Sequence, residues 1–277
     1  MNNRYAALQA RVVSAVIAVV ALIFTGYFAG ALGLAALSSI VLLLGMVEYL
    51  DIGFLPGHSL PGNLRVIYVG CSVFLFLALS FLGLNEGFTA FGLATVIYLS
   101  AVLWVLNRST PILLIRSLFF SSLVGFVYTA ILPSFAIRTL LGGNGIKWFV
   151  LLLAVVFAGD TAAYFAGLKF GKQKLMPEVS PKKTVAGAVG GLAGSVLSAG
   201  ILGAWFFGSP SLVVILPGAA VAGFLAQSGD LFESLLKRTC GVKDSGKIMP
   251  GHGGVLDRLD GIYFAAPVIY LVSKWAL

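Results

Sequence analysis

The stretch RVVSAVIAVVALIFTGYFAG, residues 11–30, contains a single charged side chain, Arg11, at its start. A helix rises about 1.5 Å per residue, so the apolar part of this stretch can cross the roughly 30 Å hydrocarbon core of a bilayer. It exceeds the apolar core of a signal peptide, about 7–15 residues, and no convincing cleavage site is visible. We therefore expect a retained transmembrane helix.

Similar apolar runs recur along the whole chain. Of its 277 residues, 59% are hydrophobic and 10% are charged, and the mean hydropathy of +1.02 lies well outside the range of soluble globular domains. The sequence predicts an all-α fold, a polytopic membrane helix bundle of about nine transmembrane helices. The runs are 12–29, 32–50, 66–84, 88–106, 111–137, 146–168, 185–208, 211–236 and 261–276.

The basic residues set the expected orientation, because loops rich in Lys and Arg stay cytoplasmic. With a cytoplasmic N-terminus, these spans place fifteen of the 18 Lys and Arg residues on the cytoplasmic side. Nine of the ten Asp and Glu residues share that side, Glu86 being the exception. Topology and attraction to anionic lipid account for the net charge of +8, whereas the acids predict a functional site on the same side.

The polar stretches divide the chain into two regions. We interpret residues 1–145 as N-terminal transmembrane helices that form a scaffold and could carry dimer contacts. We interpret residues 146–277 as a catalytic transmembrane region with two cytoplasmic loops, 169–184 and 237–260. The many glycines at 187–208 favour close packing of one helix against another.

Asp160 is the first acid that lies inside a predicted span, in the stretch VVFAGDTAAYFAGLKF. An ionised side chain at such a place costs at least about 2–3 kcal/mol on insertion scales, so it normally faces the bundle interior or a water-filled cavity. Asp160 could therefore belong to a site, or it could pair with a neighbouring helix during assembly.

Two pairs of acids lie one helical turn apart, Asp230 with Glu233 and Asp257 with Asp260. Carboxylates this close repel one another unless some are protonated or a cation lies among them. Oxygen ligands without a Cys and His cluster favour magnesium over zinc. The alternative is a salt-bridge network with three nearby bases, Lys237, Arg238 and Arg258.

Two basic loops have the composition of phosphate-binding segments. KDSGKIMPGHGG, residues 243–254, combines four glycines with Lys243, Lys247 and His252, although it lacks the spacing of a Walker loop. KFGKQKLMPEVSPKKT, residues 169–184, places lysines and hydroxyls before a helix whose N-terminus favours anions. No stacking aromatics accompany these lysines, so we expect no nucleic acid partner.

These residues predict phosphoryl or nucleotidyl transfer to an anionic lipid, a reaction that needs positioning and charge neutralisation. Two other classes of protein stay open. A cation-coupled transporter could use Asp160 and Asp230 as an ion relay, although no paired repeats are visible. A lipid-binding scaffold without catalysis would not need its carboxylates at all.

The segment SLLKRTCGVKDSGKIMPGHGGVLDRLD, residues 234–260, resembles the signature of the phosphatidate cytidylyltransferases, also called CDP-diglyceride synthetases. DTAAYFAG at 160–167 and FGKQKLMPEVSPKKT at 170–184 are also similar, so the resemblance covers roughly residues 155–275. One departure is Ala186, which stands where similar proteins often have Glu. The paired D-x-x-D-G-x-x-A-R segments of CDP-alcohol phosphotransferases are not found in the sequence.

The resemblance implies a magnesium-dependent enzyme, with one or two cations, that transfers CMP from CTP to phosphatidate and yields CDP-diacylglycerol and pyrophosphate. It also implies a homodimer in the inner plasma membrane whose active site faces the cytoplasm. A phosphatidate oxygen, already anionic, would attack the α-phosphorus of CTP, so a protein nucleophile is unnecessary.

The residues carried over by this resemblance fall into four groups. The implied metal ligands are Asp230, Asp257 and Asp260. The implied catalytic residues are these acids together with Lys237, Arg238, Lys243, Asp244, His252 and Arg258. The implied substrate-binding residues are Ser180, Lys182, Lys183, Thr184, Ser234, Lys247, Gly253 and Gly254. Asp160 and Glu233 are expected to support the site from behind the metal ligands.

Overall fold

A computed structural model of the chain describes residues 2–54, 60–106, 111–246, 248 and 253–276, with side chains from residue 13 onward except residue 15. Within these ranges the regular secondary structure is helical apart from one small hairpin, which agrees with the predicted all-α membrane bundle. The helices are α1 Asn2–Ile52, α2 Gly62–Phe81, α3 Leu84–Val105, α4 Ile112–Phe126, α5 Leu132–Leu140, α6 Gly145–Phe170, α7 Val185–Phe207, α8 Leu212–Thr239 and α9 Leu256–Trp275.

Seven of the described helical segments are long and apolar enough to cross a membrane. Two features account for the difference between these seven segments and the nine predicted spans. The runs 12–29 and 32–50 lie in the single helix α1, and the run 261–276 lies in α9, which is not among the seven. Charged residues at both ends of α9, Asp257 and Lys274, reduce its apolar length. The count of nine and the cytoplasmic N-terminus stay predictions.

Helix α1 is kinked at Gly30, whose φ of 59° and ψ of −151° are not helical. Glycine adopts such a positive φ without the steric penalty of a Cβ atom. The expected division between residues 29 and 32 therefore corresponds to a bend within α1. A π-helical turn, Val127–Ile131, similarly joins α4 to α5 within the span Ile112–Leu140.

The chain forms two compact units. The first unit contains Met1–Ile137 and Thr239–Leu259, and the second contains Arg138–Arg238 and Asp260–Leu277. The segment 239–259, from the recognised signature, thus belongs to the same compact unit as the N-terminal helices. The division of roles at residue 145 stays a prediction.

The first unit has a core of aromatic rings from four helices. Tyr68 of α2 stacks on Phe126 of α4, with ring centroids 5.1 Å apart and an interplanar angle of 4°. Tyr98 of α3 packs edge-on against both rings, and Tyr49 of α1 donates a hydrogen bond of 2.8 Å to the carbonyl of Ser121. These buried contacts hold the C-terminal end of α1 against α2, α3 and α4.

The second unit is organised by close packing of α6 against α7. A Cβ atom at Gly190 or Gly194 of α7 would overlap the Cβ of Ala166 or Ala162 of α6. The glycines of α7 therefore let the two backbones approach, which confirms the interpretation made from the sequence. Ser195 of α7 strengthens the contact by donating a hydrogen bond of 2.7 Å to the carbonyl of Val155 in α6.

The loop expected at 169–184 contains an antiparallel hairpin. Strands β1 Lys174–Met176 and β2 Ser180–Thr184 pair Lys174 with Thr184 and Met176 with Ser180. The hairpin begins shortly after the end of α6 and leads directly into the first residue of α7. The hairpin therefore holds the lysines of this connecting segment in a defined position.

Candidate active site

A cavity of about 470 Å³ lies in the second unit, where α6, the hairpin, α7 and α8 meet. Its lining carries both signs of charge, which is unusual beside helices of this hydropathy. The charged and hydroxyl side chains that line it are Asp160, Lys174, Lys182, Lys183, Thr184, Tyr164 and Asp230. The structure therefore places the embedded acid of α6, the acid of α8 and the SPKKT lysines around one space.

Lys183 and Asp230 form an ion pair in this cavity. The Nζ atom of Lys183 is 2.7 Å from Oδ2 of Asp230, with side chains 23% and 40% exposed respectively. The family resemblance implied separate roles for these residues, Lys183 at the lipid phosphate and Asp230 at the metal. Their contact places a residue predicted to bind the lipid phosphate beside a residue predicted to bind the metal.

The N-terminus of α7 opens on the same cavity. Thr184 is its N-cap, and its Oγ1 atom accepts a hydrogen bond of 3.1 Å from the backbone N–H of Gly187. Thr184 and Gly187 both line the cavity. Because the start of a helix carries partial positive charge, an anion in the cavity would be stabilised by α7 as well as by the lysines.

The hairpin is tied to the last turn of α8. The Nε atom of Arg238 donates a hydrogen bond of 3.3 Å to the carbonyl of Val179, at the turn of the hairpin. Arg238, predicted to bind the triphosphate, therefore contacts the hairpin that carries the cavity lysines. Ser180, also predicted to bind substrate, pairs with Met176 at the start of β2.

A second cluster of acids surrounds Asp260. Glycine at position 229 brings α8 against α9, since a Cβ atom there would overlap the backbone carbonyl of Asp260. Burial, followed by the negative charges of Asp230 and Glu233, raises the pKa of the Asp260 carboxyl well above its usual range. Asp260, which lies outside the seven candidate spans, is 8% exposed. The negative charge of Asp160 acts in the same direction.

Two of these acids have ordinary partners on α8. Glu233 is 1% exposed and its Oε2 atom is 2.8 Å from Nζ of Lys237, one turn later. Ser234 is near Asp230, with its Oγ atom 3.5 Å from Oδ1. Glu233 and Lys237 therefore form part of the salt-bridge network that the sequence left open as the alternative to a metal site.

The donor set fits magnesium as a pair of carboxylates. Among the described residues, no group of three Asp, Glu, His or Cys side chains could hold a metal ion. Magnesium, however, commonly binds one or two carboxylates and completes its octahedron with water and substrate phosphates. Asp230, which is 40% exposed, contributes negative charge that raises the pKa of buried Asp260, so a cation near these two carboxylates would relieve their repulsion.

Asp257 belongs to the first unit and contacts the glycine-rich loop. Its Oδ2 atom accepts hydrogen bonds from the backbone N–H of Ser245, at 3.0 Å, and of Gly254, at 2.8 Å. Gly253 has a φ of 86°, and a Cβ atom there would be 2.8 Å from the same Oδ2 atom. One predicted metal ligand therefore also holds two points of the loop.

The remaining predicted residues are placed as follows. Lys243, Asp244 and Arg258 are exposed on the first unit, beside the loop that Asp257 holds. Lys247 and His252 lie outside the described residues.

Sequence reasoning missed three residues near the predicted groups. Lys174 and Gln227 line the cavity, and Gln227 donates a hydrogen bond of 3.1 Å to the carbonyl of Ala188. Pro177, which stands between two short runs of the sequence, could have indicated the turn of the hairpin that places Lys174. Glu48 of α1, discussed below, carried no local signal of its role.

Comparison with known proteins identifies the family of the chain. A profile described as the cytidylyltransferase family matches residues 9–276. A phosphatidate cytidylyltransferase of Thermotoga maritima is 45% identical over 130 residues, which are 45% of this chain and 48% of the relative. One of Synechocystis is 37% identical over 179 residues, 54% and 60% of the two chains. One of Brucella suis is 46% identical over 127 residues, 46% and 47% of the two chains.

In these comparisons the chain spans about half the length of the curated relatives it matches. The family profile, in contrast, extends over nearly the whole chain, including the N-terminal helices that carry no recognisable motif. The chain belongs to the cytidylyltransferase family.

Proposed function

We propose that the protein transfers CMP from CTP to phosphatidate, giving CDP-diacylglycerol and pyrophosphate, at the cytoplasmic side of the inner membrane. The observation that carries this proposal is the cavity in which lysines and the start of α7 lie beside Asp230. Such a cavity joins groups for phosphate with a group for a divalent cation. Three relatives are named phosphatidate cytidylyltransferases, which supports the choice of substrates.

The phosphates are bound by groups that already face the cavity. Lys182 and Lys183 supply positive charge, and the N-terminus of α7 adds the partial charge of its backbone N–H groups. An arriving phosphate competes with Asp230 for the ammonium group of Lys183. Phosphate binding therefore releases the Asp230 carboxylate at the moment when the substrate's negative charge enters the site.

Asp230 and Asp260 are the residues that would hold magnesium, with Asp257 retained as a predicted third ligand. When bound, the ion neutralises negative charge on the nucleotide phosphates. Asp160 and Glu233 add negative charge around Asp260 from behind these ligands, and Glu233 is itself paired with Lys237 at 2.8 Å.

The chemical step is an in-line substitution at the α-phosphorus of CTP. A phosphatidate oxygen forms a bond to this phosphorus while the bond to the bridging oxygen of the β-phosphate breaks, and pyrophosphate leaves with the electron pair. The chain's basic side chains orient the two substrates and stabilise the leaving charge, which is the main requirement of such transfers. Binding of the leaving pyrophosphate stays a prediction for five basic residues, Lys237, Arg238, Arg258, Lys243 and Lys247.

The experiment is a radiolabelled CTP incorporation assay with purified, detergent-solubilised protein and phosphatidate, with and without magnesium. We expect magnesium-dependent formation of CDP-diacylglycerol with release of one pyrophosphate per product. Absence of product under all divalent cations would contradict the proposal. A transporter would instead require a sealed membrane and an ion gradient, neither of which is present in detergent.

A further inference from the structure

We propose that Glu48, near the end of α1, is a positioning residue that holds the two described ends of the glycine loop, residues 243–246 and 253–255, in the position that catalysis needs. This inference rests on the proposed function for its catalytic consequence, but the contacts themselves lie within the first unit. Glu48 comes from the N-terminal helices, for which the sequence indicated only a scaffold. It is 3% exposed, although a glutamate on an apolar helix is expected to reach water.

The carboxylate of Glu48 binds both ends of the glycine loop. Its Oε2 atom accepts a hydrogen bond of 2.8 Å from the backbone N–H of Leu256, where α9 begins. The same atom accepts a hydrogen bond of 3.2 Å from the hydroxyl of Ser245. One buried oxygen therefore joins the start of the loop to the start of α9.

Two glycines of the loop pack directly on this carboxylate. A Cβ atom at Gly246 would overlap Oε1 of Glu48, and a Cβ atom at Gly254 would overlap Oε2. The loop backbone thus follows the surface of the carboxylate closely on both sides. These glycines are needed for that approach, whatever else the loop binds.

A second contact fixes the same part of α1 to the residues before the loop. The Sγ atom of Cys240 is 2.9 Å from the carbonyl oxygen of Ile52 and 2.8 Å from that of Phe54. Glu48 and the residues just after α1 therefore contact the chain immediately before, within and after the glycine loop. Asp257, in the first turn of α9, accepts hydrogen bonds from the backbone N–H groups of Ser245 and Gly254 and so also holds the loop.

Burial of the Glu48 carboxylate costs free energy. No hydrogen bond to Oε1 of Glu48 is found among the described residues, and a buried polar atom left without one costs about 1–3 kcal/mol. An apolar residue at this position would pack more favourably in a structure that needed only a scaffold. This free-energy cost is explained if the loop must be held by an acceptor that the Leu256 N–H and the Ser245 hydroxyl can both reach.

The test compares Glu48→Ala and Glu48→Gln with Asp51→Asn as a matched control. Asp51 lies on the same helix, one turn later, and its carboxylate pairs at the surface with Arg65 at 3.3 Å. Hydrogen–deuterium exchange of peptides from 241–256 measures the loop without any substrate. Steady-state kinetics with CTP measure the catalytic consequence.

We expect Glu48→Ala to raise loop exchange and to lower kcat by about tenfold to a hundredfold, because small misplacement of reacting groups is costly. Glu48→Gln keeps a carbonyl oxygen that can accept both hydrogen bonds, so it should stay within about threefold of the wild type in both measurements. Asp51→Asn should change neither. If Glu48→Ala does not fold, Ser245→Ala, which removes one of the two bonds, should produce the same changes at smaller size.

The outcomes separate this inference from the proposed function. Inactive wild-type protein would remove the proposed function, while loop exchange in Glu48→Ala would still test the role of Glu48. Unchanged exchange in Glu48→Ala, with or without a change in kcat, would overturn the inference. Equal loss in Glu48→Gln and Glu48→Ala would overturn the role assigned to its acceptor oxygen.

Discussion

The two compact units stabilise acidic side chains in different ways. In the second unit the acids of α8 face lysine ammonium groups, Asp230 at 2.7 Å from Lys183 and Glu233 at 2.8 Å from Lys237. In the first unit, the bonds described above to Glu48 and to Oδ2 of Asp257 come from backbone N–H groups and a hydroxyl. An ammonium group on a flexible side chain can be exchanged for a metal or can move to a phosphate, whereas backbone donors fix the chain. We therefore expect ligand exchange in the second unit and control of loop geometry in the first.

The largest effect is expected from Asp230→Asn, which removes the charge that faces Lys183 in the cavity. We expect CDP-diacylglycerol formation to fall by about a thousandfold, because electrostatic groups at the reacting centre contribute most to such transfers. The control is Glu178→Gln, an exposed acid on the hairpin outside the cavity lining. Wild-type activity in Asp230→Asn would show that the acid facing Lys183 is not needed for the reaction, and the proposed difference between the two units would be wrong.

Asp257→Asn tests whether an acid bound by backbone donors also serves the metal. Asparagine keeps an oxygen for the N–H groups of Ser245 and Gly254, so loop exchange should stay unchanged. A predicted metal ligand should nevertheless lose about a hundredfold in activity, because the negative charge is gone. Full activity would show that Asp257 only holds the loop and that its assignment as a metal ligand is wrong.

Lys183→Met tests the exchangeable partner in the second unit. Loss of this ammonium group should raise the KM for phosphatidate by about tenfold, as expected for one charge-assisted contact of about 1.5–3 kcal/mol that is partly replaced by Lys182. Lys172→Met is the matched control, since Lys172 lies in the same basic stretch but outside the cavity lining. An equal change in both variants would mean that general surface charge, and not the cavity, attracts the lipid.

The smallest effect is expected from Thr184→Ala, which removes the N-cap of α7. Loss of the hydrogen bond to the N–H of Gly187 should lower the free energy of unfolding by about 1 kcal/mol. Thermal unfolding in detergent measures this change, and Thr184→Ser, which keeps the hydroxyl, should be close to wild type. A loss of activity in Thr184→Ala without a change in stability would instead indicate direct contact with substrate.

Much of the fold could be predicted because its signals are local. Long apolar runs predicted the membrane helices, and glycine content predicted the close packing of α7, confirmed at Gly190 and Gly194. The division of α1 was harder, since Gly30 bends a continuous helix that hydropathy alone splits in two. The hairpin at 174–184 was missed because two short strands joined by a Pro-containing turn resemble a polar loop in composition.

The site was predictable in its residue types but not in its pairings. The residues of segment 234–260 and of SPKKT indicated a cation and phosphates, yet the contact between Lys183 and Asp230 joins positions far apart in the chain. Glu48 lies 208 residues before the amide N–H that it binds. Glu48 stands with Asp51 near the end of an otherwise apolar helix, so nothing in its local sequence distinguishes a buried anchor from a charged helix end.

We propose that Asp230 and Asp260 together hold a divalent cation on the phosphates of the nucleotide. Its most direct measurement is equilibrium dialysis of manganese with CTP against purified wild-type protein, Asp230→Asn, Asp260→Asn and the control Glu178→Gln. We predict that wild type and Glu178→Gln retain the metal nucleotide and that the other two variants lose this retention by about a hundredfold. Equal retention by Asp230→Asn and the wild type would contradict the account.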